Sequence, residues 1–212
     1  MIETPRTGVR FVFTNLTDPS RADDFGAWYD SYGAALTRPG FLINNFRFEN
    51  PSAAGTDRDP RFAAVYDIVT PDPAEAWPAT ETSPNYPRSL FDDPRSLLVS
   101  PAFRGSYALV RSLQTPRGHG ALTGIYVALT DGDDDISRHR WPERILQTGF
   151  YYAASRYRLI EGNPEPAPWL DILETDQPDP LDAFPHAVKA GPPDASDRRG
   201  CAGSFQLVSA YP

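Results

Sequence analysis

The 212-residue chain predicts an α+β protein of two consecutive βαββαβ units, each an antiparallel sheet with its helices on one face. Three observations point there. Five short segments recur in the same order, apolar spacing switches between period two and period 3.6 in both halves, and glycine- and proline-rich stretches separate the periodic runs. Leu16-Thr17-Asp18 returns as Leu129-Thr130-Asp131, Gly40-Phe41 with Arg47-Phe48 as Gly149-Phe150 with Arg156-Tyr157, and Asp67-Ile68 as Asp171-Ile172. Residues 71–78 align without gaps to 178–185, and 105–110 to 203–208. The offsets of 113, 109, 104, 107 and 98 residues put insertions between the segments, so a tandem duplication is expected: residues 1–114, a linker at 115–121, and residues 122–212.

In the first unit Val9, Phe11 and Phe13 alternate with Arg10 and Val12, which predicts a strand over 8–13 with one core-facing side. After Asp18-Pro19-Ser20, the series Phe25, Trp28, Tyr29, Tyr32 and Leu36 marks one face of a helix that Pro39-Gly40 stops. Strands follow at 41–48 and 62–69, joined by a polar loop. Seven prolines between residues 71 and 103 leave room for a short or broken helix starting near Ala74, before a last strand at 107–113.

The second unit repeats the order: a strand at 123–129, an acidic cap at 131–135 and a helix at 136–147, then strands at 151–160 and 169–174, a short helix at 181–188 and a strand at 204–210. This is the ferredoxin-like order. Stretches apolar on both faces, such as Ala64-Val65-Tyr66, need cover on both sides, from helices on one and the other unit's sheet on the other.

A net charge of -8 and a pI near 4.8 argue against nucleic-acid or anionic-membrane partners, because such binding rests on Lys and Arg neutralising phosphates. Cys201 is the only cysteine, which excludes an intrachain disulfide and a multi-cysteine metal site. With no secretory signal pattern and no apolar run long enough to span a bilayer, a soluble cytoplasmic protein is expected. Phosphate-binding glycine loops, nucleophile elbows and metal-spaced ligand sets do not occur.

Phe25-Gly26-Ala27-Trp28-Tyr29-Asp30, Arg38-Pro39-Gly40-Phe41 and Phe46-Arg47-Phe48 resemble the dimeric α/β-barrel superfamily, and within it the EthD-like proteins. The stretch 142–150 with Ser155-Arg156-Tyr157 resembles the other half of that pattern. The resemblance implies two ferredoxin-like units joined into a barrel, here a pseudo-dimer within one chain, with a ligand pocket between the sheet and helices of each unit. It also implies a small aromatic or polyketide-like ligand and acid/base chemistry on it: cyclisation, isomerisation, dehydration or oxygenation. Where the family carries a helix histidine, this chain has Gly33 in the first copy and Arg140 in the second, with His139 one residue earlier.

These positions set the site expectations. His139 is the candidate proton carrier, its imidazole being suited to transfer near neutrality, although flanking Arg138 and Arg140 also fit a solvated helix start. Arg156 or Arg140 would steady developing negative charge. Arg47 and Arg156 recur, and each either faces an oxyanion in a pocket or pairs across the sheet with Asp67 or Asp171. Trp28, Tyr29 and Tyr32 are substrate-binding aromatics or plain core. His119 and His186 do not recur and Met1 is the only methionine, so no cofactor, haem included, is expected. Divergence at the first helix predicts at most one active pocket. The alternative is a non-catalytic binding or structural barrel that has lost the family's histidine, and beyond the pseudo-dimer the chain is expected as a monomer or a homodimer.

Overall fold

The computed structural model describes residues 6–117, 119–130, 140–163, 168–190 and 199–211. Eight strands, β1 (Gly8–Leu16), β2 (Leu42–Glu49), β3 (Phe62–Ile68), β4 (Val99–Gln114), β5 (Gly124–Thr130), β6 (Ala153–Asn163), β7 (Trp169–Thr175) and β8 (Arg199–Tyr211), form one closed antiparallel barrel. Around it, in the order β1-β3-β2-β8-β5-β7-β6-β4, every strand has two hydrogen-bonded neighbours. Closure leaves no open sheet edge. The order 4-1-3-2 within the first four strands reappears as 8-5-7-6 in the last four, and the β2–β8 and β6–β4 ladders join the two sets.

The period-two alternation decides what lies inside. Val9, Phe11 and Phe13 of β1 meet Phe48, Val65, Tyr107, Val127, Ile172 and Phe205 in the barrel interior. Each of these nearly water-free side chains contributes roughly 1.5–3 kcal/mol. The alternate residues point outward beneath helices. Ala64, Tyr66 and Ile68 lie under α1 (Ala22–Leu36) and α2 (Pro73–Thr82), while Tyr126, Ala128 and Leu173 lie under α3 (Trp141–Gln147) and α4 (Pro180–Ala190).

Local sequence explains the helix starts. Asp18 accepts from Ser20 N in a short 3₁₀ turn ahead of α1, and Asp72 accepts from Ala74 N at 2.9 Å with Pro73 in the first helical turn of α2. The ten residues of α2 accommodate Pro78, so the proline-rich stretch does form a helix, followed by two 3₁₀ turns at Arg88–Phe91 and Pro94–Leu98. No described helix is long and apolar enough to cross a membrane.

Several boundaries differ from the sequence reading. β4 starts at Val99 rather than Tyr107 because it pairs with β1 as far as Leu16 and with β6 as far as Gln114. β8 likewise starts at Arg199 rather than Ser204. α3 begins at Trp141, and the predicted start of that helix at 136–139 lies outside the described residues. Strand register also corrects two of the recurrences. Gly8 pairs with Ile68 and Ala108 where Gly124 pairs with Thr175 and Gln206, so Asp67 corresponds to Glu174 rather than Asp171, and Thr14 rather than Thr17 corresponds to Thr130. Two- and three-residue matches are too short to fix register; the alternation of inward and outward side chains fixes it.

Gly8 and Gly124 are equivalent for a steric reason. A Cβ at Gly8 would collide with the Tyr107 carbonyl oxygen and press on Pro73, and one at Gly124 would collide with the Phe205 carbonyl oxygen and Pro180. The start of α2 or α4 thus packs directly on the first strand of its half. Gly124→Ala is expected to lower stability by about 1–3 kcal/mol, read as a reduced urea midpoint at unchanged slope. A loss below about 0.5 kcal/mol would show that the contact yields.

Candidate functional site

A cavity of about 270 Å³ lies between α1 and the outward face of β1 and β3, roofed by residues 83–98. Its walls are aromatic because four parts of the chain converge. α1 supplies Trp28, Tyr29 and Tyr32, β3 supplies Tyr66, α2 supplies Trp77, and the roof supplies Tyr86 and Phe91. Trp28 stacks on Tyr32 with centroids 5.1 Å apart and planes 7° from parallel, and its Nε1 donates to the Leu90 carbonyl at 2.9 Å, tying helix to roof. Tyr32 meets Phe91 edge-on, and Phe91 stacks on Tyr86.

The polar groups are few and paired. Tyr29 and Tyr66 are buried and their hydroxyl oxygens are 2.5 Å apart. Burial pushes the Tyr29 phenol up to about 12 and the Tyr66 phenol well above the ordinary tyrosine value. Both are therefore neutral near pH 7, and because one hydroxyl proton is used between them, the pair retains one proton to donate. Burial also raises the Tyr32 and Tyr86 phenols, which line the same cavity.

Arg10, on the outward side of β1, is 6% exposed. Its guanidinium lies 4.2 Å over the Trp77 ring and donates to Ser106 Oγ at 2.9 Å and Glu161 Oε1 at 3.0 Å. Burial lowers its pKa, but a guanidinium remains a cation. The cavity thus has aromatic walls and roof, a phenol pair, the buried Arg10 and, at its rim, the charged Arg104 and Glu81.

Of the seven residues singled out from the sequence, Trp28, Tyr29 and Tyr32 come together on this wall. Arg47 packs behind it: Nη1 donates to the Gly26 carbonyl at 3.0 Å and lies 3.1 Å from Asp30 Oδ1, with the guanidinium 5.8 Å from the Tyr29 ring centre. The expected pairing of Arg47 with Asp67 does not form. Ala64 stands opposite Arg47 on β3, so the guanidinium turns to α1, while Asp67 is held by Arg6 and Asn44.

Arg156 does face its expected partner, since Asp171 stands opposite it on β7. Nη1 donates to both carboxylate oxygens, at 3.2 and 2.9 Å, and the guanidinium lies 4.4 Å over Trp169. Arg140 is exposed just before α3, and His139 lies outside the described residues. Gly33, where the family histidine would fall, is buried, and a Cβ there would run into the Asn45 side chain.

In the second half the corresponding positions carry rings and apolar side chains instead. Tyr126 takes the place of Arg10, Phe184 that of Trp77 and Leu173 that of Tyr66. Tyr126 and Phe184 stack with centroids 3.4 Å apart, Trp141 closes on Tyr126 from the side, and Ile145 and Ala187 complete an apolar cluster. Sequence reasoning missed Arg10, Tyr66, Trp77, Tyr86 and Phe91. Arg10 carried a usable signal, being a cation on the strand face opposite Val9, Phe11 and Phe13, a face that helices must cover. Tyr86 and Phe91 sit among prolines with no periodicity to place them.

No protein-family model and no curated protein sequence matches the chain. Solved structures do match its fold. A chlorite dismutase variant from Candidatus Nitrospira defluvii superposes at a TM-score of 0.61 with 9% identity, covering 97% of this chain and 93% of that one. The chain has the dimeric α/β-barrel fold. A candidate monooxygenase from Fusobacterium nucleatum subsp. nucleatum matches at TM-score 0.58, with 8% identity over 97% of this chain and 94% of that one. An anthrone oxidase-like protein matches at 0.53, with 8% identity over 99% and 94%.

This likeness corrects one expectation. Chlorite dismutases are haem proteins, so the barrel itself is compatible with cofactor use, and the expected absence of a cofactor does not stand. The aromatic cavity does not fit haem. Among the described residues no histidine, cysteine or methionine lines it, and Tyr29, held neutral by burial, is not a phenolate ligand.

The raised Tyr29 pKa fixes a sign for stability. The folded chain keeps a phenol proton that the unfolded chain loses near pH 10, so this contribution is complete below pH 10 and is lost as pH rises towards about 12. Alkaline denaturation curves should show stability falling through that window, less steeply in Tyr29→Phe. A flat profile would contradict the buried, protonated pair.

Proposed function

We propose that the chain is an enzyme for a planar aromatic or polyketide-like molecule held in the cavity under α1. In this reading the Tyr29–Tyr66 pair donates its one free hydroxyl proton to a substrate oxygen that gains negative charge. The single observation carrying it is the buried phenol pair, 2.5 Å apart, facing an aromatic-walled cavity. Stacking surfaces suit a flat ring system, and a neutral phenol with a proton to spare suits a carbonyl that becomes an enolate or phenolate. Arg10 adds a cation to the same wall, and Glu81, the carboxylate lining it, is the proposed proton acceptor.

Enolate chemistry of this kind underlies cyclisation, isomerisation, dehydration and oxygenation. Structural neighbours described as anthrone oxidase-like and as a candidate monooxygenase support a substrate of this class. Trp28 and Tyr32 would orient the ring, while Arg47 would hold α1 against the barrel. Arg156, tied to Asp171 and lying over Trp169, would serve structure.

We also propose that the two halves are fused ferredoxin-like units that arose by tandem duplication, with 115–121 as linker. The repeated strand order, the equivalent Gly8 and Gly124, and the equivalent Arg47 and Arg156 support this. Substitution of Arg10, Trp77 and Tyr66 by Tyr126, Phe184 and Leu173 then marks the half that gave up its pocket.

Binding of anthrone, followed by tryptophan fluorescence, tests the site. Val12→Phe, which fills the cavity floor, should weaken binding at least about tenfold. Once a turned-over substrate is identified, Tyr29→Phe and Tyr66→Phe should each lower kcat by roughly 10²–10³ with substrate affinity little changed. Unchanged turnover in both would overturn the role given to the phenols.

A further inference from the structure

A second cavity, of about 680 Å³, lies at the barrel mouth where β1 and β5 begin, away from the aromatic pocket. Its polar groups come from both halves. Asp67 and Glu174 occupy equivalent positions on β3 and β7, on the faces that carry Val65 and Ile172 into the barrel interior. Among the described residues a single cation, Arg6, reaches them. Arg6 Nε lies 2.7 Å from Asp67 Oδ1, and Nη1 donates to Glu174 Oε1 at 3.2 Å and to Tyr157 Oη at 3.0 Å. Its counterpart in the second half is Leu122, so one positive charge faces two negative ones.

The compensation is also incomplete in geometry. Asp67 is 4% exposed, and Oδ1, although close to Arg6, accepts no aligned hydrogen bond. Burial, opposed by Arg6 and by the Asn44 amide, pushes the Asp67 carboxyl up. Asn44 reaches Asp67 at 3.0 Å from a bulged position with φ of 52°, the one positive φ outside glycine among the described residues. On the opposite wall Tyr152 donates to Glu174 Oε2 at 3.0 Å and stacks on His119 with centroids 4.1 Å apart, presenting a π surface.

We propose that this mouth is a binding site for a small protonated amine, which would join Arg6 between Asp67 and Glu174 and lie against the Tyr152–His119 stack. An ammonium group supplies the missing charge, can donate to the unsatisfied Asp67 oxygen and is attracted to an aromatic face. The site shares no lining residue with the aromatic cavity, so either assignment can fail without the other.

Calorimetric titration of the full chain with 1,4-diaminobutane, and with 1,4-butanediol as the uncharged match, tests the proposal. The diamine should bind with Kd of about 1 mM or tighter and the diol should not bind. Glu174→Gln should weaken the diamine at least about tenfold. Ser112→Phe should do the same from the exposed rim without touching the Arg6 contacts, and so keeps the test valid if Glu174→Gln misfolds. Tyr32→Ala should leave diamine binding unchanged. No diamine binding at about 10 mM, equal binding of the diol, or full affinity in Ser112→Phe would overturn the site.

Discussion

Closure of the barrel is the constraint on which the rest depends. Each half has two ladders to satisfy beyond its own sheet, because β2 must pair with β8 and β6 with β4. With every strand paired on both sides, a one-residue slip at any ladder would turn inward residues outward around the whole ring. The interior then fills with Phe11, Phe13, Phe48, Tyr107 and Phe205, side chains drawn from both halves, so neither half has a core of its own there. What remains for function is the outer face beneath the helices and the two open mouths.

On the outer face the two halves use the same frame differently. At one pair of equivalent positions Arg10 sits over Trp77, and at the other Tyr126 stacks on Phe184. The first combination keeps a charge and leaves space beneath Trp28, Tyr29 and Tyr32. In the second, among the described residues, rings stack where the charge stood. The roof at 83–98 matters as much as the floor, since the Trp28–Leu90 hydrogen bond and the Tyr32–Phe91 contact hold it over the cavity.

Much of this was legible in the sequence. Alternation at Val9, Phe11 and Phe13 placed the inner face of β1, and the spacing of Phe25, Trp28, Tyr29, Tyr32 and Leu36 placed the buried face of α1 with four cavity residues on it. Register was not legible. An irregularity in pairing around Asn44 shifts partners by one so that Arg47 meets Ala64, and Asp67, which stands opposite Ile43, is held by Arg6. The roof was hidden because its 3₁₀ turns follow prolines and carry no helical repeat. Arg10 was visible as a residue but not as a site, since only the fold shows that α2 brings Trp77 onto it.

The phenol pair gives the cavity a definite chemical character. A buried tyrosine with a raised pKa is a poor base and a good donor, and two of them in contact concentrate that capacity at one point of an otherwise apolar wall. A crystal structure of the protein soaked with anthrone decides whether that point is where a ligand oxygen goes. The expected result is a ring system between Trp28 and the roof, with its oxygen within hydrogen-bonding reach of Tyr29 or Tyr66. Ligand bound only on the α3–α4 face, or in the cavity with its oxygen turned away from both phenols, would contradict the account.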